Sequence, residues 1–87
     1  MPTISHWING RDVPAEADGR LGDITNPATG NVTGQVPLAS QATVESAIAA
    51  AAEAFPAWRD TSLARRTSVM FAFRELLNAR KQELAEI

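Results

Sequence analysis

The chain carries few residues of the types that perform covalent chemistry. It contains no cysteine, and His6 is its only histidine. A catalytic histidine needs a nucleophile or an orienting carboxylate beside it, and the sequence places neither next to His6. We therefore expect His6 to be a solvated residue of a β-hairpin.

The remaining polar residues favour structural roles. The serines and threonines stand where helix caps or strand surfaces are expected, and Glu83 and Glu86 share a solvated helix surface. Gly30 and Gly34 fit a turn and a strand better than a phosphate-binding loop. Metal-ligand spacing is also missing. The sequence thus predicts no catalytic, cofactor-binding or metal-ligating residue within these 87 positions.

The charge pattern excludes two classes of partner. Net charge is −2 with acidic and basic residues interspersed, which argues against a nucleic-acid interface and against a polybasic membrane anchor. Arg65 and Arg66 are expected on a solvated helix face. Apolar runs are too short for a membrane span or a signal-peptide core. Together with the absence of cysteine, this pattern leads us to expect a cytoplasmic protein.

Short strands and turns are expected over residues 5–37. Asn9-Gly10 accepts positive φ at both central positions of a tight turn, which indicates a β-hairpin. Residues 14–22 are polar and predict a loop. In the segment Asn26-Pro27-Ala28-Thr29-Gly30, proline presets φ and glycine can adopt a left-handed conformation, as a turn requires. The following strand is expected to end at Pro37.

Two to three helices are expected after the strands, over residues 41–55, 62–78 and 81–87. Ser40 is a plausible cap for the first, which Pro56 is expected to end, with Trp58 folding back as a plug. Thr61 or Ser62 would cap the second, and Asn78 would end it. The second helix should bury one apolar stripe, made of Val69, Met70, Phe73, Leu76 and Leu77.

The apolar content is too small for an independent core. Hydrophobic residues make up 45% of the chain, or 39 residues, and 16 of them are alanine. Burial of an alanine side chain removes little apolar surface from water. Without cysteine, neither a disulfide nor a thiolate–metal site can compensate. We therefore expect the chain to need a neighbour. The helical pattern that runs uncapped to Ile87 also led us to expect a truncated chain.

Four motifs in series resemble a known enzyme family. They are His6-Trp7-Ile8-Asn9-Gly10, Asn26-Pro27-Ala28-Thr29-Gly30, the strand at residues 32–37, and Ala54-Phe55-Pro56-Ala57-Trp58. Their order and spacing are similar to those at the amino terminus of aldehyde dehydrogenases, from about residue 5 to the last residue. The resemblance implies an α/β fold in which residues 1–87 form the N-terminal part of the NAD-binding domain.

Within that family, two segments are similar to the CoA-acylating methylmalonate-semialdehyde dehydrogenases: residues 56–62 and residues 69–73. This resemblance implies an NAD-dependent oxidation of methylmalonate or malonate semialdehyde to propionyl-CoA or acetyl-CoA, with loss of carbon dioxide. NAD is then the cofactor, coenzyme A the co-substrate, and valine catabolism the setting. The implied partners are the remainder of the enzyme and further copies of it, in a dimer or tetramer. The implied nucleophile is a cysteine, which this chain lacks.

Two other functions stay open at this stage. One is a hydrolytic NAD(P)-dependent aldehyde dehydrogenase, of which the chain would be a part and in which water takes the place of coenzyme A. Alternatively, it is a non-enzymatic helical module that binds a partner through its alanine-rich face or through the face at residues 69–77. An independent module should unfold cooperatively as a monomer, whereas a segment of an enzyme should expose apolar faces and associate.

Overall fold

The computed structural model describes residues 2–87, and over that range it contains four strands and three helices. The elements are β1 (His6–Ile8), β2 (Arg11–Val13), β3 (Arg20–Thr25), β4 (Val32–Leu38), α1 (Gln41–Asp60), α2 (Leu63–Ala79) and α3 (Lys81–Glu86). The chain divides into two compact units, one ending at Glu53 and one running from Ala54 to Ile87. Short strands followed by helices agree with the expected fold class.

The first strands form the predicted hairpin. β1 and β2 pair antiparallel, with Ile8 opposite Arg11. Asn9 and Gly10 connect them with φ values of 55° and 76°. Positive φ at both central turn positions matches the right-handed twist of paired strands, and asparagine and glycine tolerate it best.

The second antiparallel pair extends further than predicted at the end away from its turn, where Arg20 lies opposite Leu38. β3 begins at Arg20, inside the expected loop, and β4 continues through Pro37 to Leu38. Pro37 lies opposite Leu21. A two-stranded ribbon has outward-facing N–H positions on both strands, and proline is tolerated at such edges. Pro37 therefore does not end the strand.

The turn between β3 and β4 has the predicted mechanism. The Asn26 side-chain oxygen accepts a hydrogen bond from Ala28 N–H at 2.9 Å, and Asn26 C=O accepts one from Gly30 N–H at 2.7 Å. Gly30 has φ 76°. The Asn26 side chain thus accepts a hydrogen bond in the way that a backbone carbonyl does in a turn, and Gly30 lets the chain reverse at little steric cost.

Helix α1 ends five residues later than expected, at Asp60, with Pro56 inside it. The prediction that Pro56 stops the helix is wrong. Proline lacks one donor but its φ is helical, and the alanines on both sides of it are the best helix formers. The helix ends instead where the Thr61 hydroxyl donates to Ala57 C=O at 2.7 Å. Trp58 is a helical residue with 45% exposure rather than a folded-back plug.

Helix α2 has the expected N-terminal cap. Ser62 has extended backbone angles, and its hydroxyl accepts from Arg65 N–H at 3.2 Å, so Ser62 rather than Thr61 is the cap. The helix includes Asn78 and ends at Ala79. Arg80 separates it from α3 and donates its backbone N–H to Leu76 C=O at 3.0 Å. Asn78 was therefore wrongly expected to end it.

Large hydrophobic side chains remain exposed in both units. Within residues 2–87 no hydrophobic side chain forms a buried core. The stripe expected to be buried on α2 consists of Val69, Met70, Phe73, Leu76 and Leu77, with exposures of 48%, 59%, 54%, 62% and 40%. The helical spacing predicts which residues share a face, but the chain supplies nothing to cover that face. The expectation of a thin core is confirmed.

Candidate functional site

One polar side-chain cluster joins separate elements of the first unit. The Glu16 carboxylate lies in the loop between β2 and β3, and its Oε1 accepts from the Ser40 hydroxyl and from the Thr43 hydroxyl, both at 2.6 Å. Thr43 N–H donates to Ser40 Oγ at 3.1 Å. Ser40 is thus the predicted N-cap of α1, and Glu16 receives the hydrogens of both hydroxyls.

These contacts keep Glu16 ionised. The hydrogen bond from Ser40, followed by that from Thr43, lowers the pKa of the Glu16 carboxyl below its ordinary value, and the charge of His6 acts in the same direction. A carboxylate with a lowered pKa is a poor general base near neutral pH. The Ser40 hydroxyl donates its hydrogen to this carboxylate. Because the carboxylate is a poor base, it does not activate Ser40 as a nucleophile. The arrangement has the chemistry of a helix cap and not of a nucleophile.

His6 is less solvated than the sequence predicted. It is half-buried in β1, whereas its neighbour Trp7 is 70% exposed. Both His6 and Trp7 line a groove of about 290 Å³, together with Thr43 and Ala47 of α1.

Other grooves in the described units are mainly apolar. One of about 280 Å³ lies between the hairpin and α1, and includes Arg11 as its basic residue. Another, of about 350 Å³, lies along α2 and α3 and includes Phe73, Leu77 and Leu84. Arg80 at its edge pairs with Glu83 at 2.6 Å, which raises the pKa of the Arg80 guanidinium. The hydroxyls of Thr43 and Ser46 line the first of these grooves without a histidine or carboxylate beside them in its lining, and the charged residues of the second are Arg80 and Glu83.

Over residues 2–87 the structure contains neither a metal-ligand cluster nor a helix suited to a membrane span. That part of the chain holds no group of three or more His, Cys, Asp or Glu side chains able to bind a metal ion. None of its helices is both long and apolar enough to cross a bilayer. What this part of the chain offers is a scaffold in which side chains cap α1 and α2 and large apolar side chains are exposed.

Comparison with known proteins identifies the source of this scaffold. The family model described as "Aldehyde dehydrogenase family" matches residues 13–87. The chain belongs to the aldehyde dehydrogenase family. The match covers β3, β4 and all three helices, and so includes three of the four motifs on which the resemblance was based. The motif at residues 6–10 lies before the matched range.

Curated relatives of this aldehyde dehydrogenase segment are similar along its whole length. The rat mitochondrial methylmalonate-semialdehyde/malonate-semialdehyde dehydrogenase [acylating] is 39% identical over 87 residues, which are 100% of this chain and 16% of that protein. A malonate-semialdehyde dehydrogenase of Pseudomonas aeruginosa is 41% identical, again over 100% of this chain and 17% of its own length. The human acylating enzyme is 39% identical, with 100% and 16% covered.

This aldehyde dehydrogenase chain spans about one sixth of the length of those relatives. The described residues contain no cysteine nucleophile, since the sequence has no cysteine at all.

Sequence reasoning missed one structural residue, Glu16. The available signal was that Ser40 caps a helix whose first turn carries no acidic residue, although helix N-termini favour a negative charge.

Proposed function

We propose that this chain is the amino-terminal part of the NAD-binding domain of a CoA-acylating semialdehyde dehydrogenase. The reaction would be oxidation of methylmalonate or malonate semialdehyde with NAD and coenzyme A, giving propionyl-CoA or acetyl-CoA and carbon dioxide. The single observation that supports it best is 39–41% identity over the whole chain to relatives whose names specify these aldehydes. The word "acylating" in the rat and human names supports coenzyme A as acceptor.

The proposed role of these 87 residues is structural. The described grooves offer few groups for NAD or coenzyme A, since the grooves that contain Arg11 and Arg80 carry one basic side chain each. Binding of their phosphates calls for several donors or a glycine-rich turn at a helix N-terminus. We therefore assign no catalytic or cofactor-binding step to a residue of this chain. It would carry helices and turns on which the rest of the domain packs.

The remainder of the enzyme is then the proposed partner, and a homodimer or homotetramer is the proposed assembly. Exposed apolar faces on α1 and α2 support a covering partner of this kind. A cytoplasmic location and a role in valine catabolism remain predictions, and the rat and human relatives are named as mitochondrial.

A hydrolytic aldehyde dehydrogenase is the second candidate, because membership of the family as a whole is compatible with it. The two functions differ in the acyl acceptor. In the hydrolytic enzyme water cleaves the thioester, so NADH forms without coenzyme A. In the acylating enzyme coenzyme A receives the acyl group, so turnover depends on it.

The test is an assay of the complete gene product with methylmalonate semialdehyde and with malonate semialdehyde. NADH formation is followed with and without coenzyme A, and the acyl product is identified by mass spectrometry. We expect NADH and propionyl-CoA or acetyl-CoA only when coenzyme A is present. NADH at the same rate without coenzyme A would contradict the acylating function and favour the hydrolytic one. The 87-residue chain assayed alone serves as a control and should form no NADH.

A further inference from the structure

The Glu16 carboxylate contacts the start of α1 although it lies far from it in sequence. Its partner Ser40 is 24 residues away and Thr43 is 27 residues away. The turn around Glu16 is itself closed, because Gly19 N–H donates to Glu16 C=O at 3.0 Å. The side chain of a closed turn is thus directed at the first turn of the helix.

Helix α1 lacks the carboxylate that commonly completes such a cap. In a capping box, a serine or threonine at the N-cap is followed three residues later by a glutamate or glutamine. Here Ser40 is followed by Thr43, and the first turn carries no acidic residue. The negative charge that stabilises a helix N-terminus is instead supplied by Glu16.

We propose that Glu16 is a latch that holds the loop at residues 14–19 against the N-terminus of α1. The two hydroxyl hydrogen bonds act together, because both end on one carboxylate oxygen. Since this loop connects β2 to β3, the latch ties the connection between the two strand pairs to the start of the helix. Glu16 is a positioning residue and takes no part in chemistry.

Ionisation of Glu16 should control the latch. The charged group that acts on it is His6 from β1, and the neighbours contributed by α1 are the uncharged hydroxyls of Ser40 and Thr43. The pKa of Glu16 is lowered in the folded chain. The latch therefore contributes stability above the unfolded pKa of about 4.3 and loses it as the pH falls through the lower folded value.

Hydrogen exchange measured by mass spectrometry on the complete gene product tests the latch. Glu16→Ala should accelerate exchange severalfold in residues 14–20 and in residues 40–46 together. Asp18→Asn, a change to another acidic residue of the same loop, is the matched control and should leave both segments unchanged. Acceleration confined to residues 14–20 would overturn the proposal, because the loop would then move without affecting the helix.

A second variant keeps the test decisive if Glu16→Ala does not fold. Thr43→Val removes one hydroxyl donor at nearly constant volume and should accelerate exchange in residues 14–20, across the contact. No change there would contradict the latch. For the unsubstituted protein, exchange relative to an unfolded reference should rise in both segments as the pH falls below about 4. If protection from exchange in both segments stayed constant until the whole protein unfolded at low pH, the Glu16 carboxylate would not be what holds the loop and the helix together.

Discussion

At the scale of single residues, Gly30 shows where the backbone itself demands a residue type. Gly30 has φ 76°, and a Cβ added there would meet no atom within 4 Å. Steric crowding by neighbours therefore does not matter at this position, and only the backbone conformation does. An L-residue in the left-handed region costs about 1–2 kcal/mol.

Gly30→Ala should accordingly lower the free energy of unfolding of the complete gene product by roughly 1 kcal/mol, because alanine also restricts the unfolded chain. Gly22→Ala is the control. Gly22 lies in β3 without positive φ, and its added Cβ would meet Val36 Cγ1 at an ordinary 3.5 Å. Denaturant unfolding of both variants measures the difference. Equal effects of the two substitutions would show that the conformation of Gly30 is not what the turn requires.

At the scale of elements, Pro56 is the residue where the helix rule and the structure disagree. Alanine is about 3 kcal/mol more favourable than proline in a helix interior, yet α1 continues to Asp60. Pro56→Ala should therefore raise the thermal stability of the complete gene product and slightly raise its helical circular dichroism. Pro14→Ala, in a loop, should leave the helical signal unchanged. A loss of helical signal in Pro56→Ala would mean that the proline supports α1 rather than weakening it.

The elements that sequence predicts well are those specified by neighbouring residues. The Asn9-Gly10 hairpin and the Asn26 turn depend on residues within five positions, so their types determine them. The end of α1 was predicted wrongly because the unfavourable free energy of a proline inside a helix is an average value. Strong helix formers such as alanine elsewhere in the same helix can offset it. Glu16 was missed because its hydroxyl partners lie 24 and 27 residues away, and only the fold brings them together.

At the scale of the whole molecule, the exposed apolar residues decide the interpretation. Phe55, Trp58, Phe71 and Phe73 are 45–57% exposed, and large exposed apolar patches usually mark an interface. Arg59 and Arg74 lie 5.6 Å from the ring centres of Phe55 and Phe71, and both rings remain more than half exposed. We conclude that these 87 residues contribute structure to an aldehyde dehydrogenase and that this structure requires further protein around it.

Thermal unfolding of the isolated 87-residue chain, followed by circular dichroism and paired with sedimentation analysis, tests this claim most directly. Because the described residues form no hydrophobic core, we expect a broad, weakly cooperative transition and self-association through the apolar faces. A sharp two-state transition in a monomer would contradict the claim and favour an independent helical module.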